Sequence, residues 1–496
     1  MFYKNLKKHK STTEKKLVFS IFDAGIEKNK DDSISSGNEC KIFYNLSYED
    51  GALKTGLGFR DFRVPASTSD LSDLHVLDFS KKIDEIKDIW VERWFNTTYE
   101  EFIYQILVMD SNFNIYGALL IDEYNGVVAV RTDKLSSAPT LHSLYRLKDE
   151  DVSLFFSKEG LGVIGQKQNV LYEDVPAMIS CAVHYDNFFG IANDSRNTLV
   201  YTTNLDITSW DNEAKKTLEF LDNRGAFLKL VAFNDYVYLF REHGITKLSI
   251  YTSKNDFSVA HLYTSTSKIF EKSICVCGEE VFFMTRDGLY AFNGSSVKKI
   301  CEQYEHIFQN LDNRNCSSAC LDGKYYLATK CNFDDSGIVG CENGDFVNNV
   351  LFEIDVESQK LNILRGINIK KILAIDTPYI SKLVACFYDK PQKIGELCFC
   401  GKYFDDAIVK EWKSYSSDLG EHGKRKRLKE LILASSTECE VEIISDEETK
   451  TFKFEGSEKE QRLPINIYGK NFQFCFKSSA ESCEICKPRV VFEVVS

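Results

Sequence analysis

Two thirteen-residue segments of this chain, Tyr236–Leu248 and Glu280–Phe292, align without gaps at an offset of 44 residues. Each contains two apolar stretches joined by a turn dipeptide, His243-Gly244 in the first and Asp287-Gly288 in the second. Because Asp-Gly favours a type I′ hairpin, both segments predict a pair of short antiparallel strands. A repeated unit of this length buries little apolar surface alone and has to pack against its neighbours. The repeat therefore constrains the fold more than any single motif.

Weaker copies of the same unit lie on both sides of this pair. The further apolar stretches are Phe102–Met109, Ile115–Ile121, Val152–Phe156, Leu161–Ile164, Ile179–Tyr185, Phe188–Ala192, Thr198–Thr202, Ser318–Leu321, Tyr325–Thr329, Val350–Asp355, Ile369–Ile375, Lys382–Tyr388 and Ile394–Phe399. A spacing of about 45 residues with three or four strands per unit is typical of β-propeller blades. The sequence thus predicts six or seven blades, and an N-terminal strand that completes the last blade would close the ring.

The segment after Trp412 has a different pattern. Six short alternating stretches separated by polar turns predict an antiparallel β-sandwich: Arg427–Ala434, Cys439–Ile444, Thr449–Phe454, Gln461–Ile467, Gln473–Lys477 and Arg489–Val495. The chain has 36 Phe and 24 Tyr but only 7 Pro, which also favours strands. We therefore predict an all-β protein with an N-terminal arm and closing strand or strands at 1–65, a propeller at 66–402 and a sandwich at 403–496.

Two segments carry a helical pattern. Ile300, Tyr304, Ile307 and Leu311 lie at helical spacing and predict a short amphipathic helix between two blades. The stretch from Ser80 to Trp90 fits either a helix capped by the serine or a strand, and both alternatives stay open.

The charge balance limits the classes of partner. With 61 Lys and Arg against 74 Asp and Glu, the net charge is −13, whereas a general nucleic-acid binder needs a basic surface. The basic run Lys424–Arg427 is predicted to be exposed to solvent at the point where a strand begins. No stretch has the ~20 apolar residues that span a bilayer, and the N-terminus lacks the apolar core of a secretory signal. We expect synthesis in the cytoplasm without export or a membrane partner.

Three roles are open to the sixteen cysteines, namely disulfide partners, metal ligands and small apolar side chains. In the cytoplasm we expect reduced thiols that behave as small hydrophobes, as in Cys275-Val-Cys277 and Cys398-Phe-Cys400. Cys483 and Cys486 form a lone CxxC motif without the second pair that a structural zinc site needs, so metal binding there stays open.

No catalytic, cofactor-binding or metal-binding residues are predicted. The sequence has no HExxH, GxSxG, Walker A or dinucleotide-binding motif. The aspartates that could serve a propeller hydrolase, Asp110, Asp186, Asp235 and Asp287, all fall at predicted turns, where Asp is favoured by its own backbone hydrogen bonds. The sequence therefore favours a protein without enzymatic activity and without a cofactor.

The order of these pieces resembles the propeller-containing structural proteins of tailed bacteriophages, which occur in tails and head-to-tail connectors. Three stretches are similar: NLSYEDGALKTGLGFRDFRV at 45–64, HYDNFFGIANDSRNTLVYTTNLDITSWD at 184–211, and FNDYVYLFREHGITKL at 233–248 with VFFMTRDGLYAFNG at 281–294. The resemblance implies a virion structural protein of a phage or prophage, made in the host cytoplasm, that binds other virion proteins and forms a homo-oligomeric ring. It implies no catalytic residues and no sequence-specific nucleic-acid binding.

Two other functions stay open at the level of sequence. One is a cytoplasmic propeller scaffold that binds other proteins on one face. The other is a carbohydrate-active propeller enzyme, which would need a pair of carboxyl groups at the central channel.

Overall fold

The computed structural model describes residues 14–18, 40–96, 98, 100–121, 128–185, 187–202, 207–208, 210, 215–250, 257–331 and 348–495. The chain divides into two compact units. Unit 1 comprises Met1–Arg60, Lys360–Gly366 and Cys398–Ser496, and unit 2 comprises Asp61–Gln359 and Ile367–Leu397. No helix among the described residues is long and apolar enough to cross a membrane.

The described residues are almost entirely β-structure, which confirms the predicted all-β class. They form 42 strands, one four-residue α-helix and two 3-10 turns. The first seven strands are β1 (Lys15–Val18), β2 (Cys40–Tyr44), β3 (Leu46–Glu49), β4 (Ala52–Thr55), β5 (Gly58–Asp61), β6 (Arg63–Pro65) and β7 (Leu74–Val76).

Five antiparallel sheets follow in unit 2, each made of four strands in sequence order. Sheet 1 has β8 (Asp88–Asn96), β9 (Glu101–Met109), β10 (Ile115–Leu119) and β11 (Ala129–Thr132); sheet 2 has β12 (Leu141–Leu147), β13 (Glu150–Ser157), β14 (Gly160–Ile164) and β15 (Asn169–Tyr172); sheet 3 has β16 (Met178–His184), β17 (Asn187–Ala192), β18 (Thr198–Thr202) and β19 (Lys215–Glu219). Sheet 4 has β20 (Phe227–Phe233), β21 (Tyr236–Arg241), β22 (Gly244–Ile250) and β23 (Phe257–Thr264); sheet 5 has β24 (Cys275–Cys277), β25 (Glu280–Thr285), β26 (Gly288–Phe292) and β27 (Val297–Ile300). The strands of the two aligned segments occupy equivalent positions in sheets 4 and 5.

Two further groups of strands complete the series. Six strands follow one another in a single sheet: β28 (Leu311–Leu321), β29 (Lys324–Cys331), β30 (Asn348–Asp355), β31 (Leu361–Asp376), β32 (Ser381–Phe387) and β33 (Ile394–Cys398). We call the first three group 6 and the last three group 7. The backbone N–H of Phe62 donates to the carbonyl oxygen of Ile394 at 3.0 Å, so a segment from the start of unit 2 extends group 7. The pairing supplies partners to an edge that would otherwise expose backbone polar groups.

The two helical patterns have different outcomes. Helix α1 (Glu305–Phe308), which follows a 3-10 turn at Glu302–Tyr304, is shorter than predicted because Leu311 already begins β28. At the other segment the strand alternative is right, since Trp90 lies in β8.

The remaining strands belong mainly to unit 1. They are β34 (Lys402–Tyr403), β35 (Asp406–Ala407), β36 (Lys410–Ser414), β37 (Lys426–Ser435), β38 (Cys439–Ser445), β39 (Thr449–Phe454), β40 (Ser457–Gly469), β41 (Phe472–Ser478) and β42 (Glu484–Val494). All six predicted C-terminal strands are present. They form two sheets, in the orders β3-β4-β42-β37-β40 and β2-β36-β41-β38-β39, to which the N-terminal strands contribute.

The core of unit 2 lies between neighbouring sheets. Separate clusters of buried apolar side chains join sheets 1 and 2, 2 and 3, 3 and 4, and 4 and 5. Another cluster joins sheet 1 to group 7 through side chains such as Ile106 and Val384. Phe282 and Tyr325 pack with ring centroids 5.7 Å apart between sheet 5 and group 6, and the Ile372 N–H donates to Ser317 Oγ between groups 6 and 7.

The predicted turn positions of the aligned hairpins are wrong by one residue. Gly244 and Gly288 are the first residues of their second strands, paired with Arg241 and Thr285, so each two-residue loop ends before the glycine. A Cβ on Gly244 would lie 2.4 Å from the carbonyl oxygen of Tyr263, so the close approach of the next strand requires glycine there. A turn with positive φ at both central residues occurs one hairpin earlier, at Asn234 and Asp235.

The expectation that all cysteines are reduced is also wrong. Cys277 at the end of β24 and Cys320 in β28 form a disulfide, with Cα atoms 5.4 Å apart. Adjacent strands of neighbouring sheets bring the two residues together although they are 43 positions apart in sequence. The other thirteen cysteines in the described part of the chain are not disulfide-bonded.

Candidate interaction surface

A cavity of about 290 Å³ opens where sheet 1 meets the turn between β31 and β32. It continues the apolar core that sheet 1 shares with group 7. Its lining residues are Thr68, Glu101, Phe102, Ile103, Tyr104, Leu119, Leu120, Ile121, Thr377 and Tyr379.

Phe102 forms the aromatic wall of the cavity and its ring is held on two sides. The register of β8 and β9 pairs it with Phe95, whose ring centroid lies 5.3 Å away in an edge-to-face arrangement. The guanidinium carbon of Arg93 lies 5.1 Å from the centroid of the Phe102 ring, which is within the range of a cation–π contact. Phe102 is nevertheless 40 % exposed, so an ordered aromatic surface faces solvent.

The opposite wall is a turn whose backbone is fixed by a threonine. Thr377 Oγ1 accepts hydrogen bonds from the backbone N–H groups of Ile380 at 3.0 Å and Tyr379 at 3.3 Å. The backbone N–H of Thr377 also donates to the carbonyl oxygen of Ile380 at 2.8 Å. These bonds fix the turn that places Tyr379 at the cavity.

The third wall comes from the segment that contains Thr68. This segment is closed by a backbone hydrogen bond from Ala66 to Asp73 at 2.8 Å. Inside it, the Ser72 hydroxyl and backbone N–H donate to Asp70 and hold the pKa of that carboxyl below its usual range. The same segment exposes Leu71 and Leu74 to solvent.

Among the described residues, the lining combines apolar and aromatic side chains with the polar groups of Thr68, Thr377 and Glu101, of which Glu101 carries the one carboxylate. The volume is near the lower end of small-molecule sites, which span roughly 300–1,000 Å³. A cavity of this size and chemistry suits one or two apolar side chains of a partner protein. Sequence analysis missed it because its walls come from residues about 300 positions apart, although a phenylalanine at an exposed strand start was a usable signal.

A buried polar cluster lies between sheets 1 and 2. Glu92 is 3 % exposed, pairs with Arg131 at 3.1 Å and accepts a hydrogen bond from Ser153 Oγ at 2.9 Å. His142 Nε2 lies 3.2 Å from the same hydroxyl oxygen. Burial raises the pKa of Glu92 and lowers the pKa of His142 to about 3, so the imidazole is neutral.

The order of these three groups differs from that of a nucleophilic triad. The serine hydroxyl lies between the carboxylate and the imidazole and donates its proton to Glu92, whereas catalysis needs the imidazole between the other two. The cluster therefore satisfies buried polar groups between two sheets. A glutamate inside the apolar stretch IWVERWF was its only signal in the sequence.

The described aspartates that could serve a propeller hydrolase belong to turns of different sheets. Asp110 accepts the backbone N–H groups of Asn112 and Asn114 and closes a turn, as predicted, and Asp235 also lies in a turn. Asp287 accepts a hydrogen bond from the Ser267 hydroxyl. Asp186 lies outside the described residues.

The lone CxxC motif is divided between two environments. Cys483 is buried, its backbone N–H donates to Thr55 Oγ1 at 2.7 Å, and burial raises its thiol pKa to about 11. Cys486 is half-buried, with its Sγ 3.8 Å from a carboxylate oxygen of Glu484. Within the described ranges, no group of three or more His, Cys, Asp or Glu side chains is placed to hold a metal ion.

The basic run at the start of β37 is neutralised within unit 1. Lys424 pairs with Glu421 at 2.8 Å and Arg425 pairs with Glu447 at 2.6 Å. The Nζ of the buried Lys426 donates to the carbonyl oxygen of Lys470. The run therefore offers no cluster of unpaired cations to an acidic partner.

No protein-family model matches the chain, and no curated protein matches it in sequence. The solved structures that match it include two bacterial proteins of low sequence identity. PorZ, a bacterial surface component of the type-IX secretion system of Porphyromonas gingivalis, has a TM-score of 0.36 and 9 % identity over 70 % of this chain and 50 % of its own. The extracellular domain of the putative one-component system BT4673 from B. thetaiotaomicron has a TM-score of 0.42 and 9 % identity, over 91 % of this chain and 63 % of its own. The chain thus spans half to two-thirds of these proteins.

Proposed function

We propose that unit 2 is a seven-bladed β-propeller. Sheets 1 to 5 and groups 6 and 7 each make contacts with the next in the series, and sheet 1 packs against group 7. A closed circuit of neighbours is what radial packing of blades requires. The hydrogen bond from Phe62 to Ile394 supplies an N-terminal strand to the last blade. For unit 1, the two antiparallel sheets support a β-sandwich.

The function we propose is structural and non-enzymatic, namely protein–protein contact in the tail or connector of a tailed-phage or prophage particle. The observation that carries the protein-binding part is the ordered aromatic cavity at Phe102, which adjoins the packed core of sheet 1 and group 7. A propeller resists deformation because each blade is packed on both sides, so such a surface is pre-organised for binding. The setting in a phage particle rests on the resemblance of the three sequence stretches.

The experiment is a binding measurement with the structural proteins encoded beside this chain. We expect one of them to bind the purified protein and the variant Phe102→Ala to bind it at least tenfold more weakly, because a buried aromatic anchor is worth about 2 kcal/mol or more. Val259→Ala removes an exposed apolar side chain from sheet 4 and is the matched control, expected to bind normally.

Mass spectrometry of purified particles tests the setting separately. Detection of the chain in particles supports the virion role. Binding of a non-virion protein at Phe102, together with absence from particles, would instead support a cytoplasmic scaffold. Equal binding by Phe102→Ala and the parent protein would remove the cavity from the proposal.

A further inference from the structure

Cys398 and Cys400 lie together at the end of β33, both within unit 1. Cys398 is the last residue of that strand, and one exposed residue, Phe399, separates it from Cys400. Gly401, with φ of +59°, turns the chain immediately afterwards. Both thiols are half-buried, and the Cys398 side chain hydrogen-bonds to the thiol of Cys400. The pair is therefore within reach of each other and of solvent.

The surroundings of Cys400 favour its thiolate. The hydrogen bond with Cys398 is the largest cause, the backbone of Lys402 and the positive charges of Arg60 and Lys402 add to it, and together they lower the thiol pKa from 9.0 to about 6. For most other cysteines the surroundings raise the thiol pKa instead of lowering it. Burial raises the pKa of Cys386 and Cys301 to about 12, as expected for thiols that only fill space.

The backbone around Cys400 is fixed by a close approach. A Cβ added to Gly58 would lie 2.8 Å from the Sγ of Cys400 and 2.4 Å from the carbonyl oxygen of Lys402. Only glycine allows that distance, so the segment that contains Cys400 packs directly against β5. Cys400 Sγ also lies 3.8 Å from the Lys402 carbonyl oxygen. The thiol of Cys400 thus has a defined position against β5 and the backbone of Lys402.

We propose that Cys398 and Cys400 form a redox-active dithiol that exchanges with disulfides. The Cys400 thiolate attacks one sulfur of a disulfide, forms a mixed disulfide and expels the other sulfur as a thiolate. The Cys398 thiol then loses its proton to solvent, attacks the Cys400 sulfur and releases the second thiolate, which leaves a Cys398–Cys400 disulfide. Two thiols of the protein are oxidised and the external disulfide is reduced to two thiols, so two electrons and two protons balance.

The test measures the reaction of the full chain with oxidised glutathione at pH 6. At that pH a thiol of pKa about 6 is about half ionised, against about one part in a thousand for a thiol of pKa 9.0. The lower nucleophilicity of the more acidic thiolate removes a factor of about 15–30, so Cys400 should react about twentyfold faster than an ordinary exposed thiol. Cys486, a half-buried cysteine of the same unit, is the comparison within the molecule.

The products are identified by mass spectrometry after trypsin digestion. Residues 394–402 form one tryptic peptide with two cysteines, which should lose two hydrogen atoms as the dithiol closes. In Cys398→Ser the reaction should stop at a glutathione adduct on Cys400, whereas in Cys400→Ser the peptide should react at least tenfold more slowly. Cys486→Ser should leave the rate and product at residues 394–402 unchanged.

Two results on the parent protein overturn the proposal without any variant. The first is a rate at Cys400 no higher than at Cys486. The second is a stable glutathione adduct on the peptide with both cysteines present, because a competent partner thiol would displace it.

Discussion

Replacement of Asp222 by Asn is expected to loosen sheet 4. Arg241 of β21 is 1 % exposed, and its guanidinium pairs with the Asp222 carboxylate at 2.7 Å. It also donates to the carbonyl oxygen of Gly225 at 3.2 Å and lies over the rings of Phe220 and Phe227. The hydrogen bond from Arg241 holds the pKa of Asp222 well below its usual range, which shows how strongly the charged carboxylate is favoured.

The magnitude follows from the burial of the pair. Loss of one partner of a buried ion pair costs roughly 3–5 kcal/mol because the other charge stays buried and unpaired. Asp222 is 28 % exposed, and the Gly225 carbonyl oxygen still binds the guanidinium, so we expect the lower end, about 3 kcal/mol. Since each 1.4 kcal/mol is a factor of ten, the opening of sheet 4 should become about a hundredfold more frequent.

Hydrogen–deuterium exchange with mass spectrometry reads this effect locally, which matters because a chain of two units need not unfold in one step. Peptides from β21 and β22 should exchange about a hundredfold faster in Asp222→Asn. The control is Arg314→Gln, which breaks a pair between Arg314 and Asp312 in which the arginine is 65 % exposed. An exposed pair contributes roughly 0–1 kcal/mol, so exchange there should change less than about fivefold.

Exchange in sheet 4 of Asp222→Asn within threefold of the parent protein would show that the buried pair does not hold this sheet. An effect of the same size in Arg314→Gln would show that burial is not the cause. Addition of Arg241→Met to the Asp222 variant should recover part of the protection, since it removes the stranded charge.

Three further outcomes are expected. Phe283→Ala, which removes a fully buried ring packed against Tyr290, should lower the free energy of unfolding of unit 2 by about 3–5 kcal/mol in urea titrations, with Val259→Ala as an exposed control. Because the disulfide closes a loop of 43 residues, Cys277→Ser should lower the free energy of unfolding by up to about 4 kcal/mol. Dithiothreitol should destabilise the parent protein but not this variant. The pKa of His142 is about 3 in the folded protein and roughly 6.5 in the unfolded chain, so only the unfolded chain takes up a proton as the pH falls below 6.5. The free energy of unfolding should therefore fall by about 2 kcal/mol between pH 7.5 and pH 5, and it should fall markedly less in His142→Gln.

The sequence predicted the second and third strands of sheets 1 to 5 because each repeat carries its own local signal. The more exposed outer strands β11, β15, β19, β23 and β27 were not predicted. Apolar stretches of four to eight residues between turn residues predicted β21, β22, β25 and β26 close to their observed bounds. The predicted turn positions were wrong by one residue because a glycine can be required either by a turn with positive φ or by the close approach of another strand. The two requirements look alike in the sequence. Gly244 serves a close approach by Tyr263, which depends on a third strand that local pattern does not specify.

The cavity at Phe102 could not be predicted from the sequence, and the reason is physical. Phe102, Thr68 and Tyr379 meet only because sheet 1 packs against group 7, a contact between residues about 300 positions apart. No periodicity in either segment encodes that meeting. The Cys277–Cys320 disulfide differs in this respect, because its spacing of 43 residues equals about one repeat.

The spacing of one repeat also helps to explain why some cysteines in this chain form a disulfide and others do not. A repeat places residues from equivalent strands side by side, so cysteines one repeat apart in neighbouring sheets can come within bonding distance, as Cys277 and Cys320 do. Cys398 and Cys400 instead lie two residues apart where β33 ends, and the positive charges of Arg60 and Lys402 lower the pKa of Cys400. Burial separates the half-buried Cys398 and Cys400 from thiols such as Cys386, which is enclosed and keeps its proton. The reactivity of a cysteine in this chain therefore depends on where the repeat, or the end of a strand, places its sulfur atom. The number of cysteines alone does not predict it.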